Sequence, residues 1–280
     1  MDVKLVEERI LVLPDHFDLV AAEMRAGPRR LDAFGTLAKM SGLLTKPKLD
    51  DIELVYKERR LQPFWSLRCT AICAYERTRT HHLKLPAEVR QIAIGGQTSE
   101  VQSRSASIPV LETCREEFHK EAVFDARSGQ PATELTQSAK TGARLISPEA
   151  LAALGVEHTV LLPPQAKAAV VIRDLVASLN PRIEADRLIE ETVVFETIDL
   201  CYRPIYAFRY RRQGKEAVVE VDGVTGEVKL GGSTFEAYLG KMLEPRFLID
   251  VGAETFNLFI PGATLVKVLV VKGMDLRDRR

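Results

Sequence analysis

Apolar and polar residues alternate along an unusually long stretch in the first third of the chain. The apolar positions of this run are Trp65, Leu67, Cys69, Ala71 and Cys73. Ser66, Arg68 and Thr70 lie between them. Because side chains on a strand point alternately to its two faces, the pattern predicts an extended strand with one buried and one solvated face. Ile52–Tyr56, just before it, is also predicted to be a strand.

A related run follows about 141 residues later. Gln62-Pro63-Phe64-Trp65 belongs to the first run, and Arg203-Pro204-Ile205-Tyr206 opens the second. Each run leads to a D-x-x-S/T-G segment, and these segments are Asp125–Gly129 and Asp222–Gly226. Glycine at the fifth position accepts a positive φ at little steric cost, so both segments are predicted to be tight turns of β-hairpins. The repeat predicts two related modules in one chain.

Helical patterns precede the strand patterns in both halves. Asp15 is placed to cap a helix that ends before Gly27-Pro28, and apolar residues recur at helical spacing between Ala168 and Leu179. The strands after the second helix are predicted to form an antiparallel meander. We therefore predict an α+β protein made of two related helix-plus-antiparallel-meander modules, which could form one pseudo-symmetric unit.

The chain is predicted to divide into three parts. Residues 1–140 form an N-terminal α+β module with a hairpin extension, and residues 141–235 form the second module. Residues 236–280 contain several strongly apolar stretches. We expect this C-terminal segment to pack on the body of the protein or on a partner subunit, with contact to a membrane surface as the alternative.

The second run resembles a module of the PepSY type. Its last hairpin reads V-D-x-x-T-G-E-V over Val221–Val228, which is the signature of that family's final hairpin. The resemblance covers about Ala168–Gly232, and Phe124–Gly129 is a degenerate copy of the same hairpin. It implies a small, non-catalytic α+β binding module and supplies no catalytic residues.

The overall charge argues against a general nucleic-acid-binding protein. The 280 residues include 39 basic and 39 acidic side chains, so the net charge is zero. Phosphate contacts normally require a basic excess. The sequence shows no secretory signal and no apolar stretch long enough for a transmembrane helix. With only four cysteines, the prediction is a cytoplasmic protein with reduced thiols.

One group of residues could bind a metal ion. Cys69 and Cys73 share a strand face, and His81 and His82 follow shortly afterwards. Zinc requires about four converging sulfur or nitrogen ligands, so these four residues are the candidate set. The alternative is that both cysteines are small apolar residues of the core, because Leu67 lies on the same strand face.

A second group could support metal-dependent hydrolysis. Glu216, Glu220 and Asp222 lie on one face of a predicted strand, although acidic residues on a solvated face are more often surface charge. The common motifs of nucleotide-binding proteins, serine hydrolases and zinc proteases are absent from the sequence. We therefore predict no catalytic residue and no cofactor.

Basic and aromatic residues also interleave on the first long strand. The candidate binding residues are Trp65, Arg68, Tyr75, Arg77 and Arg79. Aromatic rings beside basic side chains can stack on the bases of single-stranded nucleic acid. The alternative is that Trp65 packs in the core and the arginines solvate the outer face.

The leading hypothesis is a non-catalytic binding or scaffold protein that acts through a β-sheet surface or an oligomer interface. Its partner would be another protein or a second copy of the chain. A nucleic-acid-binding accessory protein is the first alternative, and a metal-dependent hydrolase is the second. The duplicated strand pattern, the apolar C-terminal segment and the missing catalytic motifs favour the first hypothesis.

Overall fold

The computed structural model describes residues 1–35, 51–154, 159–179 and 183–232, and the backbone of residues 267–271. Its strands are β1 (Asp2–Val6), β2 (Glu8–Val12), β3 (Glu53–Lys84), β4 (Gln91–Ile94), β5 (Gln97–Glu100), β6 (Ser105–Asp125), β7 (Arg144–Leu145), β8 (Thr159–Leu161), β9 (Arg187–Arg212), β10 (Lys215–Asp222), β11 (Val228–Leu230) and β12 (Lys267–Val271). Its α-helices are α1 (Leu19–Ala26), α2 (Thr136–Ala139), α3 (Pro148–Ala153) and α4 (Ala168–Ser178). Short 3-10 helices span Gly27–Arg29, Asp32–Phe34 and Thr133–Leu135.

Three long strands form the centre of a mixed sheet of ten strands. β3 has 32 residues and lies between β6 and β9, both of which run antiparallel to it. The other edge of β9 pairs in turn with β1 and β2, which run parallel to it, and with β10, which runs antiparallel. β8 pairs with β3, β7 with β2, β11 with β10 and β12 with β1. A separate hairpin of β4 and β5 completes the strands.

The predicted α+β class with two helix-plus-meander modules is wrong. Most of the described residues lie in strands, and strands from residues 1–140 and 141–235 join one mixed sheet. The second run is part of one continuous strand, β9, which passes through Pro204 and pairs with β3 of the first half. A domain boundary at residue 140 therefore does not divide the sheet.

Pro63 lies inside β3 and Pro204 lies inside β9, at positions where the sheet requires no N–H group. Pro63 follows Leu61, where the pairing with β8 ends, and precedes Phe64, where the pairing with β6 begins. Pro204 has the same position on β9, between the end of the pairing with β2 and the start of the pairing with β10. A strand neighbour is missing at each junction, so the absent N–H costs no hydrogen bond of the sheet.

Equivalent backbone contacts occur in the two halves of the chain. The N–H of Leu162 donates to the carbonyl of Leu61 at 3.1 Å, and the N–H of Leu13 donates to the carbonyl of Tyr202 at 2.9 Å. Leu61 and Tyr202 are 141 positions apart (202 − 61), the offset of the sequence repeat. The short strand of each half, β2 or β8, therefore pairs with the long strand of the other half.

Two side-chain hydrogen bonds show the same offset of 141 residues between the halves. The indole nitrogen of Trp65 donates to the carbonyl of Ala166 at 2.9 Å, and the hydroxyl of Tyr206 donates to the carbonyl of Phe17 at 2.5 Å. Trp65 and Tyr206 are again 141 positions apart (206 − 65). Each aromatic residue thus fixes the segment that leads into the helix of the opposite half. The largest core cluster accordingly combines residues of both halves.

The two longest helices, α1 and α4, pack on one face of the sheet. Arg59 pairs with Tyr206, and because side chains alternate along a strand, Trp65 points to the same face. α1 packs against Tyr206 and its neighbours on β9 and β10. α4 packs against Trp65 and the apolar residues that follow it on β3, and it buries the predicted stripe of Val171, Ile172, Leu175 and Val176. The N-cap of α1 is Asp18 and not Asp15.

The two D-x-x-S/T-G segments form the tight turns that the sequence predicted. Gly129 has a φ of 72° and Gly226 a φ of 74°. The N–H of each glycine donates to the carbonyl of the aspartate at the start of the segment, at 2.8 Å for Asp125 and 2.7 Å for Asp222. One carboxylate oxygen of each aspartate also accepts hydrogen bonds from the N–H groups of the residues two and three positions further along the turn.

Gly223→Ala is expected to lower the free energy of unfolding by about 1–3 kcal/mol. A methyl group at this position would lie 2.7 Å from Oδ1 of Asp15 and 2.8 Å from Cγ of Pro204, whose ring cannot rotate away. Gly142→Ala is the matched control, because its methyl group would have no neighbour within 4 Å. Urea denaturation followed by circular dichroism measures both. Equal midpoints for the two variants would contradict the close packing of the second turn.

The C-terminal prediction lies almost entirely outside the described residues. From 236–280, only the backbone of Lys267–Val271 is described, and it runs parallel to β1. Its packing on the body or a partner stays a prediction. Among the helices in the described part of the chain, none combines the length and apolar character needed to cross a membrane.

Candidate interaction surfaces

The four predicted metal ligands are not brought together. Cys69 and Cys73 are buried on the core face of β3, whereas the rings of His81 and His82 lie on an exposed part of the same strand. A strand rises about 3.3 Å per residue, so the eight residues from Cys73 to His81 span about 26 Å. Within the described ranges, no group of three or more His, Cys, Asp or Glu residues is arranged to hold a metal ion.

The environments of these residues fit structural roles. Burial, and secondarily the nearby Glu196 carboxylate, raises the pKa of the Cys69 thiol to about 12. Burial also raises the pKa of Cys73. Both thiols therefore stay protonated at neutral pH, whereas metal binding and nucleophilic attack need thiolates. On the exposed part of β3, Nε2 of His81 lies 2.7 Å from a carboxylate oxygen of Glu112.

The three predicted acidic ligands on β10 are all paired with arginines. The ion pairs join Glu216 to Arg211 at 2.9 Å, Glu220 to Arg60 at 2.5 Å, and Asp222 to Arg203 at 3.2 Å. Asp222 also accepts the hydrogen bonds of the second turn. These carboxylates neutralise buried or half-buried cations and do not converge on an open site.

A buried ionic network lies on the sheet face opposite α1 and α4. The side chain of Arg60 is only 2% exposed and contacts Glu58, which is 1% exposed, at 3.3 Å. Arg203 lies nearby on β9, and burial lowers the pKa of its guanidinium although Asp222 and Glu220 oppose this change. Charges so far from water require partners, because desolvation of an unpaired charge costs several kcal/mol. Removal of one member of the network would therefore leave the charge of another buried and uncompensated.

The two aromatic residues proposed for stacking on nucleic acid are shielded from solvent. Trp65 and Tyr75 are each 2% exposed. The hydroxyl of Tyr75 donates to Glu116 at 2.6 Å, and this hydrogen bond, followed by burial, raises the pKa of Tyr75 to about 12. The guanidinium of Arg77 covers its ring at 5.6 Å from the ring centre. Neither ring offers a free face for a base.

The three arginines predicted to bind nucleic acid all form ion pairs with glutamates. The pairs are Arg68 with Glu121 at 3.1 Å, Arg77 with Glu112 at 2.7 Å, and Arg79 with Glu184 at 3.8 Å. Hydrogen bonds from Arg77 and then from His81 lower the pKa of Glu112, so this carboxylate is ionised at neutral pH. The acidic partners offset the positive charge that would attract phosphate groups.

A two-stranded arm extends beyond the main sheet. The pairing of β3 with β9 ends at Glu76 and Arg187, whereas the pairing of β3 with β6 continues to Lys84 and Ser105. We use "the arm" for residues 77–112, which comprise these strand ends and the hairpin of β4 and β5 between them. The side chains of residues 78–84 are all exposed, as expected for strands without a core beneath them.

Hydrogen bonds and ion pairs fix the base of the arm. One carboxylate oxygen of Asp186 accepts from the N–H of Thr78 at 2.6 Å, and the N–H of Asp186 donates to the carbonyl of Glu76 at 2.9 Å. Glu112 joins the two strands by pairing with Arg77 and His81. The direction in which the arm leaves the sheet is therefore set by the body.

An open apolar cleft of about 260 Å³ lies on the arm, between the β4–β5 hairpin and residues 108–111 of β6. The apolar residues that line it, which we call the arm cleft, are Ile92, Ile94, Ile108, Val110 and Leu111. Ile94 is 51% exposed and Leu111 is 64% exposed. Exposed aliphatic residues gathered around one concave surface are typical of a site for a partner.

Sequence reasoning missed this cleft. For this part of the chain the sequence predicted a hairpin extension and no apolar surface on it. Gln91-Ile92-Ala93-Ile94 directly precedes Gly95-Gly96, and an apolar run followed by two glycines is a hairpin signal. Nothing in the sequence, however, showed that this hairpin would fold against β6.

A scan against protein-family models and searches of curated proteins and of solved structures find no match to this chain. The resemblance of Ala168–Gly232 to PepSY modules therefore stays a prediction. Function has to be argued from the surfaces of the protein itself.

Proposed function

We propose that this chain is a non-catalytic binding protein that holds a partner protein in the arm cleft. The observation that carries the proposal is the cluster of exposed aliphatic side chains in the arm cleft. The strand ends of the arm have no core beneath them, and small β-structures of this kind are only marginally stable in water. Burial of Ile94 and Leu111 against a partner would stabilise the arm and remove apolar surface from water.

The chemistry of the arm favours a protein partner. Its cleft is lined mainly by aliphatic side chains, which match the apolar side chains of another protein. Charges near the base of the arm offset one another, as in the group formed by Arg77, His81 and Glu112. Apolar burial and not long-range attraction to a charged polymer would therefore supply most of the binding free energy.

A cytoplasmic location is part of the proposal. Its support is that Cys69, Cys73, Cys114 and Cys201 are all free thiols, three of them buried. Unpaired cysteines fit a reducing compartment, because oxidising compartments favour disulfides.

Ile94→Asp combined with Leu111→Asp is expected to reduce capture of the partner by tenfold or more, since each buried aliphatic side chain contributes on the order of 1–2 kcal/mol. The measurement is affinity capture of the tagged full-length chain from its native cells, with quantitative mass spectrometry of the bound proteins. Met24→Asp on α1 is the matched control, because Met24 is 68% exposed and lies on the body. Equal recovery of the same proteins by all three baits would overturn the proposal.

A further inference from the structure

The outer edge of β6 is a second surface, distinct from the arm cleft. β6 pairs with β3 along one edge. On the other edge, the backbone contacts of the described residues are at its two ends. At the start, Ser105 exchanges two hydrogen bonds with Gln102, both at 2.9 Å, and at the far end the carbonyl of Val123 accepts from Ala132 at 2.8 Å and the N–H of Asp125 donates to Gln130 at 2.9 Å. These contacts show that odd-numbered residues of β6 direct their N–H and C=O groups away from β3.

We propose that residues 115–121 of β6 pair antiparallel with the same residues of a second copy of this chain, about a two-fold axis at Phe118. This inference goes beyond the proposed function, because it uses a different surface. The sequence of the segment is self-complementary about that axis. The opposed charge pairs are Arg115 with Glu121 and Glu116 with Lys120, and Glu117 faces His119, whose ring N–H can donate to the carboxylate. Opposite charges directly across an antiparallel pair stabilise it.

Backbone geometry agrees with this register. Glu117 and His119 are odd-numbered, so their outward N–H and C=O groups can form a doubly hydrogen-bonded pair between the copies. Arg115 and Glu121 form the next such pair on each side. Phe118 meets its own equivalent at the axis, where the backbones of a non-hydrogen-bonded pair approach most closely and aromatic side chains stabilise the contact.

Neighbouring registers lose the charge match. An axis at His119 would oppose Glu117 to Glu121, which are both acidic. An axis at Glu117 would oppose Arg115 to His119, which gives no attraction. An axis between two residues would pair an outward backbone with an inward one, so no ladder could form. The register about Phe118 is therefore the one that the charges select among these alternatives.

The charges of the segment are available for such pairing. Within the chain, Glu121 contacts Arg68, Arg115 contacts Glu190 at 3.7 Å, and His119 contacts Glu117 at 3.8 Å. The side chains in these pairs are 43–71% exposed. Exposed ion pairs contribute little to stability, so exchanging them for contacts with a second copy costs little.

Features at both ends of the segment limit the contact to a closed dimer. Pro109 is odd-numbered, so it presents a ring without an N–H on the outer edge, which ends the ladder towards the arm. Gln130 and Ala132 cover the edge at the other end. A two-fold contact between short identical edges uses both edges at once, so it closes and does not continue into a fibre.

Charge reversal across the axis tests the pairing in the full-length chain. Arg115→Glu and Glu121→Arg are each expected to raise the dimer dissociation constant roughly tenfold or more in sedimentation velocity, because each places like charges opposite one another twice. A mixture of the two variants should restore the dimer, since both pairs are then of opposite charge. Native mass spectrometry should show the mixed dimer in excess. A mixture that associates no better than either variant alone would overturn the proposal.

A second variant tests whether the dimer depends on the backbone hydrogen bonds of the outer edge of β6. Glu117→Pro removes an outward N–H and leaves the hydrogen bonds to β3 intact, so we expect a folded monomer, while Glu117→Gln should remain a dimer. The variant with Ile94→Asp and Leu111→Asp should also dimerise, so the two proposals fail independently. A wild-type chain that is monomeric at every accessible concentration, or a dimer unaffected by Glu117→Pro, would refute this interface.

Discussion

Arg60→Ala is expected to lower the free energy of unfolding by about 3–5 kcal/mol, because it leaves carboxylates in a buried network without their cation. Arg60 contacts both Glu58 and Glu220, and its side chain and that of Glu58 are almost completely removed from water. Water cannot replace the lost ion pairs there. The buried carboxylates would have to take up protons or the sheet would have to open, and either change destabilises the folded state.

Arg68→Ala is the matched control for this variant. Arg68 is on the same strand and also pairs with a glutamate, but its side chain is 52% exposed. Exposed pairs contribute at most about 1 kcal/mol, so its expected effect is small. Urea denaturation followed by circular dichroism gives both values. Similar losses of stability for the two arginine variants would show that burial does not set the importance of Arg60.

Trp65→Ala is expected to cost about 3–5 kcal/mol of unfolding free energy, because it removes a large side chain from the centre of the core. Trp65 is 2% exposed and packs with the residues of α4. Trp65→Phe should cost less, about 1–3 kcal/mol, since it keeps most of the apolar volume and loses the hydrogen bond to Ala166.

The fluorescence of this residue supplies an independent measurement. Trp65 is the single tryptophan of the chain, so emission reports on it alone. A buried indole should emit at short wavelength and resist quenching by iodide until the protein unfolds. Ready quenching of the folded protein, together with a nearly neutral Trp65→Ala variant, would instead favour the predicted role of Trp65 on an exposed nucleic-acid-binding surface.

Local features of the fold were predictable from the sequence, whereas its assembly was not. Gly129 and Gly226 marked two turns because their positive φ is a local requirement. The pairing of β3 with β9 joins residues far apart in sequence, and no local pattern specifies such a contact. Pro63 and Pro204 do not end their strands, because each lies at a junction between two neighbouring strands, where a proline is tolerated.

The same limit applies to the candidate site. Cys73 and His81 are close in sequence, but an extended strand separates them, so proximity in sequence was a poor guide to proximity in space. Conversely, Ile94 and Leu111 share the arm cleft although a turn and a strand lie between them. The partners of Arg77 and Arg79 could not be inferred either, because Glu112 and Glu184 come from other strands or segments.

Photo-crosslinking in living cells tests the central claim, that the arm cleft binds a partner protein. A photoreactive phenylalanine analogue would replace Ile94 or Leu111 in the arm cleft, and Val20 or Met24 on α1 as body controls of similar exposure. We expect discrete crosslinked species of the same partner from both cleft positions and none from the body positions. Crosslinks that are absent from the cleft positions, or equally abundant at the body positions, would contradict the account.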